Sequence, residues 1–77
     1  MAFTGQLAVV TGGGSGMGQA WARQLANNGA SVALLDVNVE GMATTAAGYD
    51  AIYPFTVDIT DADAVKAAIS DIETQLG

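Results

Sequence analysis

Leu7-Ala8-Val9-Val10-Thr11-Gly12-Gly13-Gly14-Ser15-Gly16-Met17-Gly18 is the stretch on which the rest of the chain turns. Its first five residues form a continuous apolar run, the pattern of a strand buried on both faces as in a parallel sheet. Glycines follow at once. The stretch from Gly16 to Asn28 then places Gly18, Ala22, Leu25, Ala26 and Gly29 at helical spacings, a face small enough to lie close against a sheet, and Asn28-Gly29 stops it. A glycine-rich turn between a buried strand and a helix can set backbone N–H groups against a pyrophosphate. Each glycine has its own reason. A side chain at Gly12 would obstruct the sharp turn, one at Gly16 would hold a diphosphate off, and one at Gly18 would wedge the helix from the sheet. The alternative is a loop that serves only as a turn, and the strand before it and the helix after it weigh against that.

Downstream, Ser31-Val32-Ala33-Leu34-Leu35-Asp36 repeats the buried-strand pattern and ends at a carboxylate that a strand interior would not carry. Val39 to Gly48, rich in Ala and Thr, reads as a modest second helix closed by Gly48. Ala51 to Val57 alternates Ile52, Pro54 and Thr56 with Tyr53, Phe55 and Val57, and Pro54 removes a ladder donor, which predicts an edge strand. Thr60 is the expected cap of a third helix, with Asp61 and Asp63 in its first turn and an apolar stripe of Val65, Ala68 or Ile69, Ile72 and Leu76. No internal repeat or linker interrupts the order. The expected fold class is α/β: half of a doubly wound Rossmann fold, β-α-β-α-β-α, with a parallel sheet in the order 3-2-1 and residues 1–77 as a single partial dinucleotide-binding domain. The first two helices should share one face and the third should cross to the other. No fourth strand follows beside the first, so the outer edge of the first strand is expected to take a partner, a homodimer above all.

The spacing Gly12-x-x-x-Gly16-x-Gly18 departs from the common Gly-x-Gly-x-x-Gly fingerprint, because Met17 stands where a last glycine would be needed. Thr-Gly-x-x-x-Gly-x-Gly after an apolar strand resembles the short-chain dehydrogenase/reductase family. Gly5-Gln6-Leu7-Ala8-Val9-Val10-Thr11-Gly12 and Asn28-Gly29-Ala30 look like it too, and Val57-Asp58-Ile59-Thr60-Asp61 is similar to the family's Asp-Val-Thr-Asp segment after the third strand. The resemblance covers essentially the whole chain. It implies hydride transfer between NAD(H) and a secondary alcohol or ketone. It also implies that Ser15 and the Met17 backbone meet the diphosphate and nicotinamide side, with Asp58 and Ile59 on the adenine side. Met17 replaces the more usual Ile or Leu and keeps the apolar character. For Asp58 a plain helix-entry role is the alternative.

Asp36, eighteen positions after Gly18, is where this fold places a carboxylate that accepts hydrogen bonds from the adenine ribose hydroxyls. A 2′-phosphate would meet a like charge there. No Lys or Arg stands at Gly13, Gly14, Ser15, Val37 or Asn38 to compensate, so NAD is favoured over NADP by about 1 to 4 kcal/mol of Coulomb repulsion at contact range. A solvated loop carboxylate is the alternative for Asp36.

The family's proton-transfer pair, Tyr-x-x-x-Lys with a serine, has no counterpart here. Four residues after Tyr49 is Tyr53, four after Tyr53 is Val57, and the sole lysine, Lys66, lies on the third helix; no catalytic residue is assigned. The family's Asn-Ala-Gly segment is likewise missing, and the start at Met1 with the stop at Gly77 reads as a truncation or as part of a longer enzyme. Tyr49 and Tyr53 read as packing or loop residues, Trp21 as packing with Met17 and Leu25, and Arg23 and Lys66 as solvated.

With no Cys and no His, disulfides and thiolate or imidazole metal sites are excluded. A net charge of −6 argues against nucleic acid, the apolar runs are too short for a membrane span, and Met1 to Gly5 has no basic leader, so the cytoplasm is the expected compartment. Two other classes stay open: a non-catalytic, self-associating Rossmann fragment, and a methyltransferase-type fold that binds S-adenosylmethionine, which the glycine spacing makes remote.

Overall fold

The computed structural model describes residues 5–12 and 16–76. Six elements follow in strict alternation: β1 (Leu7–Thr11), α1 (Gly16–Asn27), β2 (Ser31–Asp36), α2 (Val39–Ala46), β3 (Ile52–Thr56) and α3 (Ala62–Leu76). The three strands are parallel in the order β1-β2-β3, with Val9 opposite Ala33 and Leu34 opposite Pro54, so β2 is central and β3, with its proline, is an edge. This is the Rossmann-type α/β half that the alternation predicts.

Strand β2 is buried on both faces because helices cover both. Val32, Ala33, Leu34 and Leu35 are each no more than 1% exposed. Since successive side chains point to opposite faces, Val32 and Leu34 join Val10, Ala22, Met42 and Ile52 under α1 and α2, whereas Ala33 and Leu35 join Val57, Ala68 and Ile72 under α3. Helices α1 and α2 thus share one face and α3 takes the other. Burying a leucine such as Leu34 contributes about 1.5 to 3 kcal/mol, a large share of the roughly 3 to 5 kcal/mol that a single core in so small a domain supplies.

The helix ends follow local chemistry, with some departures from the expected bounds. Helix α1 stops at Asn27, where Gly29 takes φ +96° while its N–H and that of Ala30 donate to the carbonyls of Ala26 and Leu25, a Schellman closure. Helix α2 ends at Ala46, two residues before Gly48, which takes φ +80°. Strand β3 is one residue shorter at each end than expected. The expected cap of α3 was on the wrong residue. Asp61, one position later than Thr60, accepts from the backbone N–H of Asp63 and of Ala64 through Oδ1, both at 3.1 Å. The Thr60 hydroxyl is instead turned to Asp58, donating to its Oδ1 at 2.6 Å.

Two side chains also depart from the sequence reading. Arg23 is not merely solvated: it donates to two carbonyls of α2 and lies over the Tyr49 ring. Trp21 is 58% exposed, on the rim of a groove of about 490 Å³ along β1, with Val9 and Leu25 in its lining. It is not packed away as expected: the groove runs beside β1, which has no neighbouring strand on its outer side among the described residues, and Met17 is itself 68% exposed.

Candidate functional site

The three strand exits are held together along one edge of the sheet by the last two residues of β2. The Gly12 N–H donates to the Leu35 carbonyl and the Val57 N–H to the Asp36 carbonyl, each at 3.0 Å. Gly12, Asp36 and Asp58 therefore leave the sheet side by side at its carboxyl edge, which is where open parallel sheets receive ligands. A slip of register would separate the glycine turn from the carboxylate; the observed pairing of Thr11 with Leu35 and of Asp36 with Thr56 joins them.

Gly12 takes φ +72°, a left-handed conformation that any side chain would strain. Ser15, together with residues 13–14, lies outside the described residues. Gly16 opens α1, exposed, and a Cβ built on it would meet nothing within 4 Å among the described residues; nor is it among the glycines with positive φ. Neither packing nor backbone conformation asks for glycine there, whereas a group approaching the first turn of α1 would. The first turn presents N–H groups without intrahelical partners at the positive end of the helix dipole, which suits an anion. Met17 is 68% exposed on this turn, and Gly18 is buried on the face toward the sheet, where the absence of a side chain permits close packing.

Across the edge, Asp36 is half-buried, and its Oδ1 accepts from the N–H of Val37 at 2.7 Å and of Asn38 at 3.2 Å. The carboxylate is thereby fixed by its own loop. Asn38 continues the arrangement, accepting from the Gly41 N–H at 2.9 Å to cap α2. The sequence reading passed over this cap, although an Asn just before a helix is a recognisable signal. Asp58 accepts from both the N–H and the hydroxyl of Thr60, and the hydroxyl bond first, then the backbone one, hold its carboxyl below the ordinary Asp value. Ile59 beside it is 52% exposed. Every expected site residue within the described regions thus falls on or next to this edge. Tyr49 packs against the α1–α2 core, Tyr53 lies on β3 and Lys66 is exposed on α3. Among the described residues no cluster of three or more metal-ligating side chains occurs.

The short chain dehydrogenase profile matches residues 6–77. The chain belongs to the short chain dehydrogenase family. Relatives within it include the 2-dehydro-3-deoxy-L-rhamnonate dehydrogenase (NAD(+)) of a Sphingomonas species, 40% identical over 97% of this chain and 30% of that protein. D-threitol dehydrogenase of Mycolicibacterium smegmatis is 40% identical over 95% of this chain and 30% of that protein. Among solved structures, the citronellol catabolism dehydrogenase of Pseudomonas aeruginosa superposes with a TM-score of 0.89 at 35% identity, over 96% of this chain and 33% of that one. The short chain dehydrogenase chain described here therefore spans about a third of the length of the relatives it matches.

Proposed function

We propose that this chain is the NAD-binding portion of a short chain dehydrogenase, one that holds the cofactor without itself carrying the proton-transfer residues. The observation that carries the proposal is a shared sheet edge: Gly12, in a left-handed conformation at the end of β1, leaves the sheet beside the loop-fixed carboxylate of Asp36 at the end of the adjoining strand. Within the cofactor-binding turn, Gly12 allows the sharp bend, Gly16 the approach of the diphosphate and Gly18 the close packing of α1 on the sheet, while Ser15 and the Met17 backbone meet the diphosphate and nicotinamide side, Asp36 the adenine ribose, and Asp58 with Ile59 the adenine side. When bound, the nicotinamide supplies a hydride donor or acceptor, which in the parent enzyme exchanges with a secondary alcohol or ketone. The name of the Sphingomonas relative, which specifies NAD(+), supports the same cofactor here. NAD is preferred over NADP because the Asp36 carboxylate repels a 2′-phosphate. The cytoplasm is the compartment that goes with this reading; no helix among the described residues is long and apolar enough to cross a membrane.

A second reading, a self-associating fragment with no cofactor role, is favoured by one feature: the outer edge of β1, with the exposed Val9 and Trp21 near it, has no neighbouring strand among the described residues and so could pair with a second copy. Titration of NADH fluorescence separates the two. Enhancement by the wild-type chain that weakens in Asp36→Ala, with NADPH binding improved in the same variant, supports the first reading. Absence of enhancement at millimolar NADH, together with a concentration-dependent dimer in sedimentation, supports the second.

A further inference from the structure

Helix α2 has only eight residues, so its length is about 12 Å, and a helix this short depends on tertiary contacts to stay helical. Its start is tied to the site, since Asn38 caps it and Asp36 holds the turn that leads into it. Its far end carries no basic residue in the last turn, where one would complement the dipole. That cation comes from another helix. Arg23 of α1 donates through Nε to the Thr45 carbonyl at 3.3 Å and through Nη2 to the Thr44 carbonyl at 2.9 Å, and its guanidinium lies 5.7 Å from the centre of the Tyr49 ring. Gln19, one turn earlier on α1, reaches the Gly41 carbonyl near the start of α2 at 3.5 Å. Helix α1 therefore both presents Gly16 and grips α2.

We propose that Arg23 is a positioning residue for the cofactor site: by clamping the carboxyl end of α2 to α1, it holds the helix that begins at the Asp36–Asn38 turn in place against the helix that Gly16 opens, and so sharpens the preference between ribose and 2′-phosphate. The inference rests on the cofactor reading given above. The fork geometry matters, because a guanidinium reaches two successive carbonyls and stacks on a ring at once, whereas an ammonium does neither as well.

Amide hydrogen exchange at Val37 and Asn38, whose N–H groups depend on the Asp36 carboxylate, reads the positioning directly and needs no cofactor. Exchange there should be about fivefold faster in Arg23→Ala, within the range expected for coupling through packed elements. The ratio of NADPH to NADH dissociation constants should fall by a similar factor. Arg23→Lys, which keeps the charge and the stem, should lie between Arg23→Ala and wild type, and it covers the case in which the alanine variant does not fold. A purely structural role would lower the melting temperature while leaving the Val37 and Asn38 exchange and the cofactor ratio of the folded protein unchanged, and that result in both variants overturns the proposal. Asp36→Ala is the separate control: if NADH affinity is indifferent to it, the cofactor reading fails and the assignment of Arg23 to that site fails with it, whereas unchanged exchange in the Arg23 variants defeats the positioning role alone.

Discussion

Replacing Gly16 by alanine should stabilise the free chain while weakening its hold on the dinucleotide. The Cβ added there has nothing within 4 Å among the described residues, and Gly16 is not among the glycines with positive φ, so no strain arises from them. Gly16 is the first residue of a twelve-residue helix. Alanine gains about 1 kcal/mol over glycine in a helix interior and roughly half of that at the first position. For a domain of this size that corresponds to a rise of roughly 2 to 4 °C in melting temperature. The same methyl group stands where a phosphate oxygen must come to about 2.9 Å from a first-turn N–H. Losing one hydrogen bond to a charged group costs about 1.5 to 3 kcal/mol, a ten- to hundredfold weaker dissociation constant for NADH. Melting followed by circular dichroism and titration of NADH fluorescence measure the two effects on one sample. Gly12→Ala is the contrast: at φ +72° alanine is strained by about 1 to 2 kcal/mol, so stability falls before binding is considered. A Gly16→Ala chain that melts higher yet binds NADH as tightly as wild type would refute the idea that the glycine serves a ligand, and one that melts lower would refute the steric argument.

At the start of α3, Asp61→Ala should cost about 1 kcal/mol by urea denaturation, because Oδ1 leaves the N–H groups of Asp63 and Ala64 without an acceptor; an equal loss in Thr60→Ala would return the cap to Thr60. Thr60→Ala should instead raise the Asp58 pKa back toward its ordinary value, since the Thr60 hydroxyl is the first cause of its lowering, and a carboxyl titration by NMR reads that directly. The sign of the linkage follows. With the folded pKa depressed, the stabilising effect of the Asp58–Thr60 bonds is complete above the ordinary Asp value of 3.8 and is lost as pH falls through the lowered folded value, so acid melting curves of wild type and Thr60→Ala should converge below that range.

Much of the site could be read from the chain because it depends on residues near one another in sequence and on a topology with little freedom. The alternation of apolar runs with helical spacings, joined by short connections, admits few arrangements other than a parallel sheet with β2 in the middle. Once β1 and β2 are parallel neighbours, Gly12 and Asp36 must emerge at the same edge, and the hydrogen bonds from Gly12 to Leu35 and from Val57 to Asp36 follow from that pairing. The helix-breaking glycines at positions 29 and 48 belong to the same class, since the need for a positive φ is local.

What the sequence alone determined was thus the order and type of the elements, the face each helix covers, and the emergence of Gly12 and Asp36 at one edge of the sheet. Tertiary structure decided the rest: that Asp61 caps α3 while the Thr60 hydroxyl turns to Asp58, that Arg23 serves a helix more than twenty residues away, and that Trp21 stands exposed beside β1, whose outer side has no neighbouring strand among the described residues. Periodicity reports which way a side chain faces relative to its own backbone, while the partner it meets depends on the distance and orientation of elements that only the folded chain brings together.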